Sequence, residues 1–237
     1  NDATTLPEHP TYHSSASHTA ILLTASIVAT RSSNMMTEMT RRDQYEWSVR
    51  GWCRILQNYS RIALVAVENT DANVTSLVDA MHACRQPHEV VRAPKTRSPC
   101  KGHGEMQSIL HARKTSLVLS RAERIVKVTG RYVLPDLPRH LDGDWMALRQ
   151  NALLPGMHGS VHCEIVGAHR SVFDSLFSRK TRLCHVEKVY EARFRAMANV
   201  SRDVPPEDFP TNAVVKRLPP LSAEVLPAGR YEARMWL

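Results

Sequence analysis

The chain alternates short apolar runs with longer segments of helical periodicity, and this alternation constrains its fold more than any other feature of the sequence. Apolar runs at residues 21–28, 61–67, 124–133 and 161–166 predict buried strands, the third of them interrupted at Gly130. Helical spacing of apolar residues predicts helices at residues 37–58, 76–84, 171–177 and 183–198, and a further one that begins at Gly102. Strands that alternate with helices favour an α/β domain with a largely parallel central sheet flanked by helices.

The two ends of the chain differ in composition from its middle, which indicates three regions. Residues 1–19 are polar and include Pro7 and Pro10, so we expect an N-terminal arm or linker. Residues 20–204 contain all the predicted strands and helices and form the expected folded domain. Residues 205–237 are rich in proline, and we expect this tail to pack on the domain.

Charge and hydropathy limit the classes of partner. The 237 residues include 31 Lys and Arg against 23 Asp and Glu, a formal net charge of +8. These charges are spread along the chain with few aromatic residues between them, so we expect no nucleic-acid partner. The longest apolar stretch, residues 20–29, is about half as long as a membrane helix. The sequence starts at Asn1 without an initiator Met, and we expect membrane attachment only through an anchor upstream of it.

Sequons and cysteines bear on the compartment. Sequons begin at Asn58, Asn73 and Asn199 and favour a glycoprotein of the secretory pathway, although such triplets also arise by chance. We expect the lumen of the Golgi or endoplasmic reticulum if the chain is eukaryotic, and the cytoplasm if it is bacterial. Five cysteines leave at least one unpaired within the chain. The candidate disulfides are Cys84–Cys100 and Cys163–Cys184, and buried free thiols, which could include Cys53, are the alternative.

Polar residues directly after predicted strands are candidates for ligand binding, because ligands of parallel sheets bind at the carboxyl ends of the strands. Glu68 and Asn69 follow the second predicted strand and could hold a ribose hydroxyl or a base edge. A turn and helix cap that includes Thr70 and Asp71 is the alternative.

The segment Lys101 to Glu105 opens a predicted helix with two glycines. Gly102 and Gly104 allow backbone N–H groups to approach a phosphate, and Lys101 adds positive charge there. The spacing differs from those of a P-loop and of G-x-G-x-x-G. A plain loop-to-helix turn is the alternative.

Lys127, Thr129 and Arg131 alternate along the third predicted strand, which predicts that they share one face of it. Two cations on a buried face need anions beside them, because their desolvation is costly. A diphosphate is such an anion, and arginine binds it in bidentate geometry. An edge strand with a solvated basic face is the alternative.

Two further clusters carry ligand-type side chains. Asp142 and Asp144 flank Gly143 in a D-x-D pattern that could hold Mn²⁺ or Mg²⁺ on a diphosphate, or form a simple turn. Zinc-type ligands occur at His158, His162, Cys163, Cys184 and His185, but without C-x2-C spacing, so polar contacts or a disulfide are favoured.

Glu187 and Glu191 lie one helical turn apart in the last predicted helix. A carboxylate at this position could act as general base on a sugar hydroxyl. A solvated helix face, paired with Lys188 or Arg195, is the alternative.

Taken together, these motifs resemble a group of small glycosyltransferases best known from bacterial capsule and lipopolysaccharide clusters, with eukaryotic and viral relatives. The resemblance rests on V-E-N at Val67 to Asn69, K-G-x-G-E at Lys101 to Glu105 and K-V-T-G-R-Y at Lys127 to Tyr132. An apolar first strand and a late helix that begins with Glu187 complete the pattern, which spans residues 21–198.

The resemblance implies a GT-A-like, Rossmann-type domain that binds a nucleoside-diphosphate sugar, with a smaller C-terminal portion that shapes the acceptor site. Such enzymes move a hexosyl or pentosyl group to a hydroxyl of a glycan. The family has no constant D-x-D at the usual strand end, where this chain has Lys127 and Arg131. Asp142 and Asp144 are then the alternative metal ligands.

The resemblance and the residue chemistry together predict roles for individual side chains. Lys127 and Arg131 are expected to stabilise the leaving diphosphate, since a glycosyl transfer must stabilise negative charge on its leaving group. Glu187, or else Glu105, is expected to act as base or acceptor holder. Donor binding is assigned to Glu68, Asn69, Lys101, Gly102, Gly104, Glu105, Thr129 and Gly130.

Three other functions are alternatives for such a chain. A non-catalytic, lectin-like module could retain the fold and bind glycans. A sugar nucleotidyltransferase would carry a Gly-rich triphosphate loop near its N-terminus, but residues 25–33 contain no glycine. Residues 205–237 and the sequons are also compatible with a secreted scaffold.

Overall fold

A computed structural model describes residues 19–28, 38–95, 101–151, 161–178, 186–197, 215–219 and 221–224. Its strands are β1 (Thr19–Ala25), β2 (Ile62–Glu68), β3 (His88–Arg92), β4 (Arg124–Thr129), β5 (Ala147–Asn151), β6 (Val161–His169) and β7 (Val215–Leu218). Its helices are α1 (Glu38–Leu56), α2 (Thr75–Met81), α3 (Lys101–Thr115), α4 (Leu117–Arg121), α5 (Phe173–Phe177) and α6 (Val186–Met197), with a 3-10 turn at Leu137–His140.

The seven strands form one sheet in the order β3-β2-β1-β4-β6-β5-β7. All neighbouring pairs are parallel except those that involve β6, which is antiparallel to both β4 and β5. Six strands therefore run in one direction and β6 alone in the other. The prediction of an α/β domain with a largely parallel central sheet flanked by helices is confirmed.

Each face of the sheet buries its own apolar cluster, because side chains alternate along a strand. One cluster joins Leu23 and Val128 of the sheet to Trp52 of α1, and it also includes side chains from α2. The other joins Leu22 to Ile109 of α3 and Tyr190 of α6. Helices α1 and α2 thus cover one face, and α3 to α6 cover the other.

Helix α1 forms because its apolar residues recur at the spacing of one helical face. Tyr45, Val49, Trp52 and Leu56 are all buried against the sheet. Cys53 on the same helix is bonded to Cys84, just after α2, across a sequence separation of 31 residues. The expectation that Cys84 pairs with Cys100 is therefore wrong.

Sequence reasoning missed three strands. The stretch between the second predicted helix and Gly102, where the sequence predicts no strand, contains β3, whose side chains are mostly only half-buried. β5 (Ala147–Asn151) lies in a stretch without an apolar run, and β7 lies in the segment expected to be a tail. The predicted strand at 124–133 ends at Thr129, because the chain turns at Gly130. These misses concern short or polar strands, which carry little periodic signal.

Among the helices that the structure describes, none is both long and apolar enough to cross a membrane.

Candidate functional site

The strand order creates a crevice at the carboxyl ends of β1 and β4. β2 and β3 follow β1 to one side, whereas β4 lies on its other side, so the chain changes direction at this point. Ligands of open α/β sheets bind at such switch points. Ala25, Glu68 and Thr129, the last residues of β1, β2 and β4, lie at this edge.

Gly130 joins the end of β4 to the end of β1 through its backbone. Its N–H donates to the carbonyl oxygen of Thr24 at 2.9 Å. A Cβ atom at position 130 would stand only 2.6 Å from that oxygen and 3.3 Å from the ring of Tyr45. Glycine is required here for close backbone approach rather than for an unusual dihedral angle.

Helix α1 holds the loop after β1. The Ser26 N–H donates to the Tyr45 hydroxyl at 3.0 Å, and the Arg41 guanidinium donates to the Ser26 carbonyl at 3.2 Å. Burial raises the pKa of Tyr45, and Arg131 and Arg41 lie close enough to oppose this shift while Glu105 adds to it. Tyr45 is therefore a neutral phenol close to the charged side chains of Arg41, Arg131 and Glu105.

Glu68 is fully buried and shapes the loops around it. Its carboxylate accepts hydrogen bonds from the N–H groups of Thr70 (2.8 Å), Ala72 (3.2 Å) and Ile27 (3.4 Å), and from the Thr70 hydroxyl. These bonds join the loop after β1 to the loop after β2. A side-chain contact between Glu68 and a nucleoside, as predicted, would require these loops to rearrange.

Asn69 links the three segments that border the crevice. Its Oδ1 accepts from the Ser26 hydroxyl at 2.7 Å, and its Nδ2 donates to the Ser108 hydroxyl at 3.5 Å. Ser108 in turn donates to the backbone carbonyl of Glu105 at 2.7 Å. Asn69 is half-buried, so of the pair Glu68 and Asn69 it is the residue that a ligand can reach.

Lys127 is the most deeply buried cation of the site. Its side chain has no exposed surface, and its ammonium group forms an ion pair with the Glu105 carboxylate, which is 17% exposed. The ammonium also donates to the Thr129 hydroxyl at 3.3 Å. The anion that meets Lys127 is therefore supplied by the chain itself, and it joins the K-G-x-G-E motif to the K-V-T-G-R-Y motif.

Arg131 stands apart from Lys127. The expectation that both cations share one strand face is wrong, because β4 ends at Thr129 and the Tyr132 N–H returns to the Thr129 carbonyl at 3.0 Å. Arg131 is half-buried, and its guanidinium lies 5.5 Å from the centre of the Tyr132 ring. Lys127 thus lies within the strand and Arg131 in the turn that follows it.

The carbonyl of Tyr132 fixes the segment that carries Arg131. It accepts hydrogen bonds from Trp52 Nε1 at 2.8 Å and from the Ser48 hydroxyl at 3.2 Å, both from α1. Val133 then pairs with Glu224 through two backbone hydrogen bonds of 3.0 and 2.8 Å. Arg131 thus projects from a segment that is held on both sides.

The start of α3 borders the same crevice. β3 ends at this edge, α3 begins at Lys101, and its first turns bring Glu105 and Ser108 to Lys127 and Asn69. Gly102 and Gly104 are both buried. The side chains of Lys101 and of Glu187, which lies in α6, are outside the described residues.

The predicted metal ligands lie elsewhere. Asp144 is exposed and pairs with Arg124 at 3.2 Å, and Arg124 is the first residue of β4. Asp142 is also exposed, and its carbonyl accepts from Lys216 at 2.7 Å. This loop is at the amino ends of the strands, roughly 17 Å along β4 from the crevice. Asp142 and Asp144 therefore do not belong to the site at the carboxyl edge.

The zinc-type cluster cannot be assembled from the described part of the chain. His158, Cys184 and His185 are outside it, and of His162 and Cys163 the structure describes only the backbone, in β6. Among the described residues, no group of three or more His, Cys, Asp and Glu side chains could hold a metal ion.

Sequence reasoning missed four residues of the site: Ser26, Arg41, Tyr45 and Ser108. For two of them, the sequence contains a pattern that could have predicted the position. Arg41 and Tyr45 are one helical turn apart, at the start of the apolar stripe of α1, and a phenol and a guanidinium there can reach the end of β1. Ser26 and Ser108 contribute single hydroxyls, which no spacing distinguishes from others in the chain.

Comparison with known proteins gives distant structural similarities. No protein family and no curated protein matches the sequence. A Desulfovibrio desulfuricans protein described as a nucleotide-diphospho-sugar transferase is 15% identical, with a TM-score of 0.49 over 86% of this chain and 80% of its own. A glycosyltransferase involved in glycosylation of the major capsid of PBCV-1 is 10% identical (TM-score 0.45; 84% and 81%). A cytidylyltransferase from Leptospira borgpetersenii is 16% identical (TM-score 0.39; 85% and 76%). Function is therefore assigned from the geometry of the site.

Proposed function

We propose that this chain is a glycosyltransferase that moves a hexosyl or pentosyl group from a nucleoside diphosphate to a hydroxyl of a glycan. One observation carries the proposal. The start of α3, joined to β4 by the buried Lys127–Glu105 pair, lies at the switch point of the sheet, and Arg131 follows the end of β4. The helix start and Arg131 supply positive potential where open α/β sheets bind their ligands, whereas the ion pair is neutral overall.

A positive electrostatic potential at this position would stabilise the departing diphosphate. The first N–H groups of α3 have no partner within the helix and carry its positive partial charge. Gly102 and Gly104 are buried but have no side chain that would separate a phosphate from their backbone. Arg131 is half-buried and accessible to the phosphate oxygens, whereas Lys127, which has no exposed side-chain surface and is paired with Glu105, holds the start of α3 in place. Preorganised positive groups of this kind stabilise the charge that develops on the leaving oxygen.

The roles of the residues that border the crevice follow from position, and the role of Glu187 from the family resemblance. Asn69 and Ser26 border the crevice and supply polar contacts for the nucleoside, while Glu68 fixes their loops. Thr129 and Gly130 form the wall at the end of β4. In the transfer, the acceptor oxygen bonds to the anomeric carbon as the bond to the diphosphate breaks. We assign Glu187 as the base that takes the hydroxyl proton.

Donor binding is tested by thermal unfolding with UDP, GDP or dTDP, each with and without Mn²⁺. We expect one diphosphate at 100 times its Kd to stabilise the fold by about 2.7 kcal/mol, because a ligand of the native state shifts the equilibrium by mass action. Arg131→Ala should remove most of this shift. Arg139→Ala is the matched control, since Arg139 is exposed and pairs with Asp136. If no diphosphate shifts the transition, the proposal is wrong.

Catalysis is tested by release of nucleoside diphosphate from a panel of nucleotide sugars with glycan acceptors. We expect Glu187→Gln to retain the thermal shift with donor and to lose transfer by about 10²- to 10⁴-fold. Full activity of this variant would refute the base role. Donor binding without turnover by the unmodified chain on any acceptor would instead favour a non-catalytic glycan-binding module.

We also propose that the protein matures in an oxidising lumen. The Cys53–Cys84 bond supports this, since disulfides persist in such compartments. Asn58 and Asn73 are exposed, as glycosylated residues must be. Endoglycosidase treatment should reduce the apparent mass of the protein from its native source, and Asn58→Gln with Asn73→Gln should reduce that change.

A further inference from the structure

Basic side chains form a row across the sheet, beginning at the crevice. In the strand register, Lys127 of β4 is opposite Val166 of β6, Val166 is opposite Arg149 of β5, and Arg149 is opposite Arg217 of β7. Residues opposite each other in a sheet point to the same face. The packing agrees, because Val166 belongs to the apolar cluster on the α3–α6 face.

Helix α6 packs over the outer part of this row. The Arg149 guanidinium lies 5.8 Å from the centre of the Phe194 ring. Glu191 lies one turn before Phe194 in α6, and Arg195 directly follows Phe194. These two side chains form an ion pair with each other. We call Arg149, Glu191, Arg195 and Arg217 the arginine cluster.

The arginine cluster has an excess of positive charge. It contains three guanidiniums and one carboxylate, and that carboxylate is already paired with Arg195. Within the described part of the chain, neither Arg149 nor Arg217 forms a salt bridge, and the buried Nε of Arg149 has no hydrogen-bond partner.

Burial is the main cause that lowers the pKa of Arg149. Repulsion from Arg217 and Arg195 adds to it, and attraction to Glu191 opposes it. The guanidinium stays charged, since its ordinary pKa is far above neutral. The unligated fold therefore holds like charges together at a cost that a bound anion would relieve.

The distance of the arginine cluster from Lys127 indicates which kind of ligand could bind it. Neighbouring strands are about 4.8 Å apart, so Arg149 is roughly 10 Å and Arg217 roughly 15 Å from Lys127 across the sheet. A diphosphate held at the start of α3 does not extend that far. A glycan chain that leaves the transfer site is long enough to reach Arg217, which is exposed, and Arg149, which is half-buried.

We propose that Arg149 and Arg217 bind an acidic group of the acceptor glycan, and that the acceptor is therefore an anionic polysaccharide. The group would be a carboxylate or a sulfate or phosphate ester, which arginine binds in bidentate geometry. This inference rests on the proposed function for its acceptor, but the anion site itself can be measured without transfer.

The test uses the full chain and a matched pair of probes. Tetragalacturonate carries carboxylates, and its methyl ester has the same sugars without the charge. We expect the acid to bind at least tenfold more tightly than the ester by titration calorimetry. Arg217→Gln, at an exposed side chain, should reduce acid binding to the level of the ester, and Arg149→Gln should do the same if it folds. Arg121→Gln, in α4, which packs near β2 and β3 at the other end of the sheet, should leave the preference intact.

Further measurements identify the anionic group and distinguish failure of glycan binding from failure of donor binding. A sulfated oligosaccharide that binds more tightly than tetragalacturonate would assign the ester chemistry to the same site. Equal binding of acid and ester, or an unchanged preference in Arg217→Gln, would overturn the inference. Competition by millimolar inorganic sulfate as strong as by the oligosaccharide would overturn the assignment to a glycan. The UDP, GDP or dTDP thermal shift is measured on the same variants, so failure of donor binding is seen independently.

Discussion

At the scale of single residues, the Lys127–Glu105 pair is the most sensitive part of the site. Lys127 has no exposed side-chain surface, and Glu105 is 17% exposed. Removing one member of a buried pair leaves the other charge uncompensated, which costs about 3–5 kcal/mol. We expect Lys127→Met to lower the free energy of unfolding by an amount in this range, measured by urea denaturation, and to abolish the thermal shift with nucleoside diphosphate.

The double variant separates stability from function. Lys127→Met with Glu105→Gln has no uncompensated charge, so it should recover most of the lost free energy of unfolding. It should not recover donor binding, because the ion pair that holds the start of α3 against β4 is still missing. Recovery of both would show that the pair is purely structural.

Gly130 gives a second test at this scale. Its Cβ would stand 2.6 Å from the Thr24 carbonyl, so Gly130→Ala must push β1 and β4 apart. Such overpacking costs about 1–3 kcal/mol, and we expect a loss of this size together with at least a tenfold loss of diphosphate affinity. Gly143→Ala is the control. Gly143 has φ of 96° with no atom near its Cβ position, so alanine should lower stability without affecting the donor.

At the scale of elements, the bond between Cys53 and Cys84 ties α1 to the end of α2. A crosslink that closes a loop of this length stabilises a fold by about 3–4 kcal/mol in the chain-entropy account. We expect Cys53→Ala with Cys84→Ala to lose stability of that order in thermal or urea unfolding. Reductant should destabilise the unmodified protein and leave the double variant unchanged. An equal response of both proteins would place the redox effect on other cysteines.

How far the sequence predicts an element depends on how continuous its apolar pattern is. β1, β2 and the first part of β4 were predicted because both faces of a central parallel strand are buried, which produces apolar runs. β3 and β5 were missed: β3 is an edge strand with mostly half-buried side chains, and β5 contains Arg149 and Gln150. Periodicity cannot distinguish such segments from loops.

The same limit applies to the site. The end of an apolar strand can be predicted from a sequence. Polar residues that directly follow such an end, such as Asn69, can therefore be predicted as site residues. The partner of Lys127 cannot, since the approach of Glu105 depends on how α3 packs against β4. Nor could a strand pattern show that the chain turns at Gly130 and separates Arg131 from Lys127.

At the scale of the whole molecule, the C-terminal part of the chain completes the sheet and reaches the site. β7 pairs with β5, Leu218 and Leu221 are buried, and Glu224 pairs with Val133, two residues from Arg131. We expect Leu221→Ala to cost about 2–5 kcal/mol in unfolding, as for other buried leucines, and to weaken diphosphate binding through the Val133 segment. Pro219, which is exposed, provides the control: Pro219→Ala should change stability by at most about 0.5 kcal/mol.

The single reversed strand has a consequence for how such a molecule can diversify. Because β6 runs against its neighbours, β5 ends and β6 begins at the edge that carries the crevice, and Asn151 pairs with Val161 there. Residues 152–160 join these two anchors. A change in length or sequence between Asn151 and Val161 would therefore alter that edge, while the pairing of residues 147–149 of β5 with β6 is retained.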